Sequence, residues 1–232
     1  MTGASASTHF NRAPLVRQLA ANTAKMPDAP PDIAVPLAGW LNFTQAIALH
    51  GALSADAPKR KRVKTEELRR VAQTLREEAG RLRELLLVPL MPEGAQTRSP
   101  TLRSRHRWPV AGDSEASDFL PYRRFILALE RDMDVQIASL RALIRQQISP
   151  LSSQLKRLAA IDETLEQVLA EPARDGLSGI AHRLEKRFRD GLSKDPVALA
   201  QQVKNTLRAE LEFRVLPVEG LLDALDQEIA NA

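Results

Sequence analysis

The chain has 232 residues, 44% of them apolar but only 4% aromatic, with 33 Lys/Arg against 29 Asp/Glu and no cysteine. That length can bury the core of one domain, or of a small domain beside a helical array; the missing thiols exclude disulfides and thiolate zinc sites and suit a reducing compartment. Leu, Ala, Arg, Glu and Gln dominate and no window alternates β-branched with polar residues, so the expected fold class is all-α.

The first predicted helix begins after Asn11, with Pro14 in its first turn, and is broken by the Pro-rich run at Met26–Pro31. A second, Leu37 to Leu53, carries Trp40, Leu41, Thr44, Ile47, Ala48 and Leu53 at helical spacing, so residues 1–56 read as a small N-terminal helical hairpin. The basic tract Lys59-Arg60-Lys61-Arg62 follows, then Thr65 as an N-cap with Glu66 and Glu67 suited to the positive end of the helix dipole. Leu68, Val71, Leu75, Ala79, Leu82 and Leu86 recur at alternating spacings of 3 and 4, the pattern of a helix-packing seam that Pro89 and Pro92 end. From Met91 to Ser117 the chain is rich in Pro, Ser, Gly and Arg without periodicity, so residues 57–117 read as a basic helix and a flexible Pro/Arg-rich linker.

The main bundle, 118–232, opens near Asp118 with Tyr122, Ile126, Leu129, Met133, Ile137, Leu140, Ile144 and Ile148 on one wide stripe. Ser149-Pro150 reads as a cap and helix-starting Pro after a tight junction, and the next helix runs from Leu151 through Val168 to a break at Pro172. Asp175 or Ser178 is expected to start another, with Leu177, Ile180, Leu184 and Phe188 on one side and Gly191 at its end. Asp195-Pro196 restarts a helix through Leu199, Val203, Leu207 and Leu211, and Pro217 is expected to precede a final one with Leu221, Leu222, Leu225 and Ile229. The sum is an elongated helical bundle with coiled-coil-like packing.

Charge is unevenly spread. Pro58 to Trp108 holds 14 Lys/Arg and 6 Asp/Glu, a net of about +8 in a chain of net +4, which points to an anionic partner for the middle segment. Lys59, Arg60, Lys61 and Arg62 read either as a solvated linker or as a contact to nucleic acid or another anionic surface. Arg103, Arg105, Arg107 and Trp108 offer phosphate contacts and a stacking indole, against the plainer reading of a basic loop. Arg123 and Arg124 stand in a helix's first turn, where the dipole disfavours cations, so an internal carboxylate is the first partner to expect and phosphate the second.

Catalytic chemistry finds little to work with. The four histidines are scattered singly, and no Walker loop, dinucleotide Gly-rich turn, His-Glu-x-x-His run or nucleophile elbow is present. Glu130 and Asp134 share a helix face near Asp132, but a solvated face or a salt-bridge partner explains them better than a metal does. No enzyme activity, cofactor or small-molecule substrate is expected. The apolar runs Ile33–Leu41 and Leu85–Met91 are too short to span a bilayer and Met1–His9 lacks a signal core, which places the expected location in the cytoplasm.

Three sets of motifs carry a family resemblance. The first is His9-Phe10-Asn11-Arg12 with Leu15-Val16-Arg17, Trp40-Leu41 and Ala46-Ile47-Ala48-Leu49. The second is Phe119-Leu120-Pro121-Tyr122-Arg123-Arg124 with Arg131-Asp132-Met133, Leu140-Arg141 and Leu155 through Asp162. The third is Leu184-Glu185-Lys186-Arg187-Phe188 with Glu210-Leu211-Glu212-Phe213-Arg214. Together they resemble a proteobacterial helical family long described only as a domain of unknown function, which also supplies the F component of type III Zorya anti-phage systems. The resemblance implies a non-catalytic accessory protein encoded beside a stator-like inner-membrane motor and a second helical protein. It implies assembly with that protein into a complex that engages DNA. Leu68, Val71, Leu75, Leu82, Ile126, Leu129, Met133 and Leu140 are the expected assembly surface, to that partner or to a second copy of the chain. A purely structural coiled-coil adaptor without nucleic-acid binding is the alternative.

Overall fold

A computed structural model of the chain describes residues 39–54, 63–91, 108–109, 119–190 and 196–232. Its described elements are all helical: α1 (Phe43–Ser54), α2 (Thr65–Leu87) with a 3-10 turn at Val88–Leu90, α3 (Leu120–Ile148), α4 (Ser153–Asp190) and α5 (Pro196–Ala230). No strand occurs among the described residues, so the fold there is all-α. The first helix of the expected N-terminal hairpin, the tract Lys59–Arg62 and the arginines 103, 105 and 107 lie outside the described residues.

The helices distribute over two compact units. Among the described residues, unit 1 takes 83–91 from α2 and its 3-10 turn, α3 to Asp134, α4 from Gly176 and α5 to Arg214. Unit 2 takes α1, α2 to Leu82, α3 from Val135, α4 to Asp175 and α5 from Val215. Ile126, Leu129 and Met133 are buried in unit 1, and Ile137, Leu140, Ile144 and Ile148 in unit 2, as their spacing of 3 and 4 along α3 requires. Leu199, Val203, Leu207 and Leu211 do the same for unit 1 along α5.

Several helix limits differ from the sequence expectation, each for a local reason. The helix expected from Leu37 is interrupted at Leu41 and Asn42 and begins again at Phe43. There Gln45 N–H donates to Asn42 Oδ1 at 2.8 Å and Asn42 N–H donates to Gln45 Oε1 at 3.0 Å, a reciprocal capping box that fixes the start. Thr65 is the first residue inside α2 rather than its cap; the Lys64 carbonyl takes the first helical bonds, from Glu67 and Leu68. After α3, Ser149 to Leu151 form a turn and Ser152 caps α4, its hydroxyl accepting from Leu155 N–H at 3.1 Å. The cap is therefore Ser152, not Ser149. Pro150 lies in the turn.

Neither Pro172 nor Pro217 ends a helix: α4 and α5 each run straight through. A proline inside a helix costs about 3 kcal/mol through a lost hydrogen bond and a clash with the preceding turn. Burial on both sides outweighs it, Val168 and Leu177 about Pro172 and Val215, Val218 and Leu221 about Pro217, each side chain of a size worth about 2 kcal/mol when buried. The separate helices expected from Asp175 or Ser178 and after Pro217 are thus the continuations of α4 and α5.

Candidate nucleic-acid interface

Phe119 sets the geometry of one end of unit 1. Its ring lies 5.5 Å from Phe188 on α4 and 6.1 Å from Tyr122, and its carbonyl accepts Arg123 N–H at 3.0 Å. The first turn of α3 is thereby held against the last two turns of α4. Arg123 and Arg124 come from the first; Arg183, Lys186, Arg187 and Arg189 come from the second. Six cations face two carboxylates there, Glu185 and Asp190, and all the cations but the half-buried Arg187 are exposed.

The antiparallel arrangement answers the dipole problem at Arg123. The C-terminal end of α4, partly negative, adjoins the partly positive start of α3, and Arg187 and Arg189 stand in the last turn, where cations are favoured. Arg123 also reaches Glu185 at 3.7 Å, the internal carboxylate expected for it, while Arg189 pairs with the same group at 2.5 Å. Exposed pairs of this kind contribute about 0–1 kcal/mol each. The net positive end is therefore a solvated surface able to trade water and counterions for phosphate.

Trp108 is not an open stacking platform. Its ring meets Phe125 at 5.0 Å and Tyr122 at 5.7 Å, both edge-on, and Lys204 Nζ of α5 sits 4.5 Å from its centroid. Burial raises the Tyr122 hydroxyl above its usual pKa. The indole offered to a base by the sequence packs edge-on against α3.

Of the expected assembly surface, Leu68, Leu75, Ile126, Leu129, Met133 and Leu140 are buried in the chain's own core, and Val71 and Leu82 are half-buried. Ala72 rather than Val71 is the buried residue on that turn of α2. The large exposed apolar groups are elsewhere. Phe43 is 81% and Ile47 56% exposed on α1, a helix with no buried residue, held to α4 by Arg157 donating to the Leu53 carbonyl.

Two buried polar groupings join residues that lie in separate stretches of the sequence. In unit 2, Asp162 of α4 accepts from Arg141 Nε at 2.8 Å, Arg141 Nη2 at 2.6 Å and Arg145 Nη1 at 2.8 Å, while Arg145 Nη2 reaches Glu166 at 2.7 Å. In unit 1, Glu210 of α5 accepts from Arg214 Nε at 2.8 Å, and Arg214 also bonds Asp134 of α3. Glu130 lies buried beside them, so Glu130 and Asp134 share a face whose partner is Arg214. Among the described residues no three His, Cys, Asp or Glu side chains gather as a metal site, and no helix is long and apolar enough to cross a membrane.

A family model described as "Protein of unknown function (DUF3348)" matches residues 1–202. The chain belongs to the DUF3348 family. No curated protein and no solved structure matches it. In this DUF3348 chain the basic end of unit 1 and the Arg141–Asp162 network fall inside the matched span; Glu210 and Arg214 fall beyond it.

Proposed function

We propose that this DUF3348 chain is a non-catalytic cytosolic subunit of an anti-phage defence complex, which joins a second helical protein and contacts DNA downstream of a stator-like membrane motor. The three motif sets point to that setting. The observation that carries the DNA contact is the net positive end of unit 1, where Arg123, Arg124, Arg183, Lys186 and Arg189 stand exposed. Phosphate neutralisation by such a cluster is independent of base sequence, and a Trp108 that packs inward fits backbone contact better than base stacking. The basic middle segment with Arg103, Arg105 and Arg107 adds positive charge immediately before Trp108 in the chain.

A purely structural adaptor is favoured by one observation of its own, the exposed Phe43 and Ile47 one turn apart on α1. The two readings separate in a single preparation: the chain co-expressed with its helical partner and titrated with labelled duplex DNA across a salt series. Binding that weakens steeply with salt supports the DNA-engaging subunit. A stable complex that ignores DNA even at low salt leaves the adaptor.

A further inference from the structure

Unit 1 buries two carboxylates on different helices. Glu130 on α3 is 9% exposed and Glu210 on α5 is fully buried. Glu210 Oε1 is bonded by Arg214, whose Nη1 turns to Asp134. A single guanidinium therefore bonds two carboxylates, while a third, Glu130, feels its charge. Glu130 Oε1 and Glu210 Oε2 are buried with no hydrogen-bond partner. Two acceptor-only oxygens in that position are what full ionisation would leave unsatisfied, and what a proton on one carboxyl converts into a donor and an acceptor.

We propose that Glu130 and Glu210 form a proton-binding site, holding one proton between them at neutral pH, and that its release loosens the packing of α3 on α5 within unit 1. The charges acting on Glu130 are Glu210 and Asp134, which oppose its ionisation, and Arg214, which favours it. Among the paired charges of the unit's other helices, Arg83 of α2 reaches Glu212, and Glu185 of α4 reaches Arg123 and Arg189. Burial first, and Glu210 next, push the Glu130 carboxyl up to about 8; burial also raises Glu210, against the pull of Arg214. The two titrate as a pair.

A carboxyl raised in the folded state takes up a proton on folding, so the stability this pair contributes is fully present at acid pH and is lost as pH rises toward about 8. Above that value the loss is complete and the curve levels.

The test is a urea-unfolding series on the full chain from pH 5 to 9, beside carboxyl carbon NMR of labelled glutamate and hydrogen exchange of amides 126–134 and 207–215. The unfolding constant of the wild type, divided by that of the Glu130→Gln protein, should rise roughly tenfold per pH unit between about pH 6 and 8. One buried glutamate signal, absent from Glu130→Gln, should titrate near 8, and the amides of both segments should lose protection through that range relative to those around Ile144. A wild-type-to-variant ratio independent of pH would overturn the site. Should Glu130→Gln fail to fold, Glu210→Gln assigns the signals and the wild-type titration alone decides: a Glu130 signal titrating near 4 to 5 defeats the proposal. Protection unchanged through the titration would overturn the coupling to α3–α5 packing.

Discussion

Replacing Asp162 by alanine should destabilise the chain by about 3 kcal/mol, near the lower end of the range for breaking one side of a buried ion pair. Asp162 accepts three bonds from two guanidiniums, at 2.6–2.8 Å, and the Arg141, Arg145 and Asp162 side chains are only 11–14% exposed. Removing it strands Arg141, whose remaining carboxylate, Glu166, is 3.6 Å away, while Arg145 keeps Glu166 at 2.7 Å. That residual pairing is why the loss falls short of three full charge-assisted bonds at about 1.5–3 kcal/mol each. Urea unfolding followed by far-ultraviolet circular dichroism gives the value. The double change Arg141→Met with Asp162→Leu should cost less than Asp162→Ala alone, because it leaves Arg145 as the one buried cation there, still paired with Glu166. An Asp162→Ala protein within about 0.5 kcal/mol of wild type, or a double variant less stable than the single, would show that Arg141 and Arg145 do not depend on this carboxylate.

Four further outcomes follow from the same packing. Asp226→Ala, which breaks the exposed Arg76–Asp226 pair, should shift stability by less than about 1 kcal/mol in the same assay. Ile144→Ala removes a fully buried side chain and should cost about 2–5 kcal/mol, read from the urea midpoint. Trp108→Ala should lower stability by about 2 kcal/mol as its edge-on ring packing disappears, whereas Trp108→Phe keeps most of it; unchanged stability with abolished DNA binding would restore the stacking role. Moving from pH 8 to pH 6 should stabilise the chain by about 2–3 kcal/mol through the Glu130 carboxyl, an effect that Glu130→Gln abolishes.

The apolar stripe of α3 was legible because eight residues at spacings of 3 and 4 leave one face to bury, and all but the half-buried Tyr122 do so. Prolines mislead where propensity is weighed without packing: Pro172 and Pro217 read as stops because the buried groups on either side act only in the folded chain. The Asn42–Gln45 capping box is visible as Asn-x-x-Gln, but the longer run of apolar spacing beginning at Leu37 masks it. The Arg141–Asp162 network also leaves a trace. Arg141 and Arg145 follow the core residues Leu140 and Ile144 four apart, and Asp162 and Glu166 repeat that spacing beyond a tight junction, as an antiparallel pair requires. Glu130 leaves none of that kind. Its partners on α5 are about 80 residues further along the chain, and only the core residues Leu207 and Leu211 flanking Glu210 hint that this carboxylate points inward.

The most direct test of the DNA contact is the salt slope of duplex binding by the assembled complex, measured for wild type and for the triple variant Arg124→Ser, Arg183→Ser, Lys186→Ser. These cations are exposed, so the fold should be unchanged. Binding should weaken and the slope of log K against log salt should become shallower by about 0.9 for each phosphate that the variant no longer neutralises. An unchanged slope and affinity in the folded triple variant would mean that the basic end of unit 1 does not contact DNA.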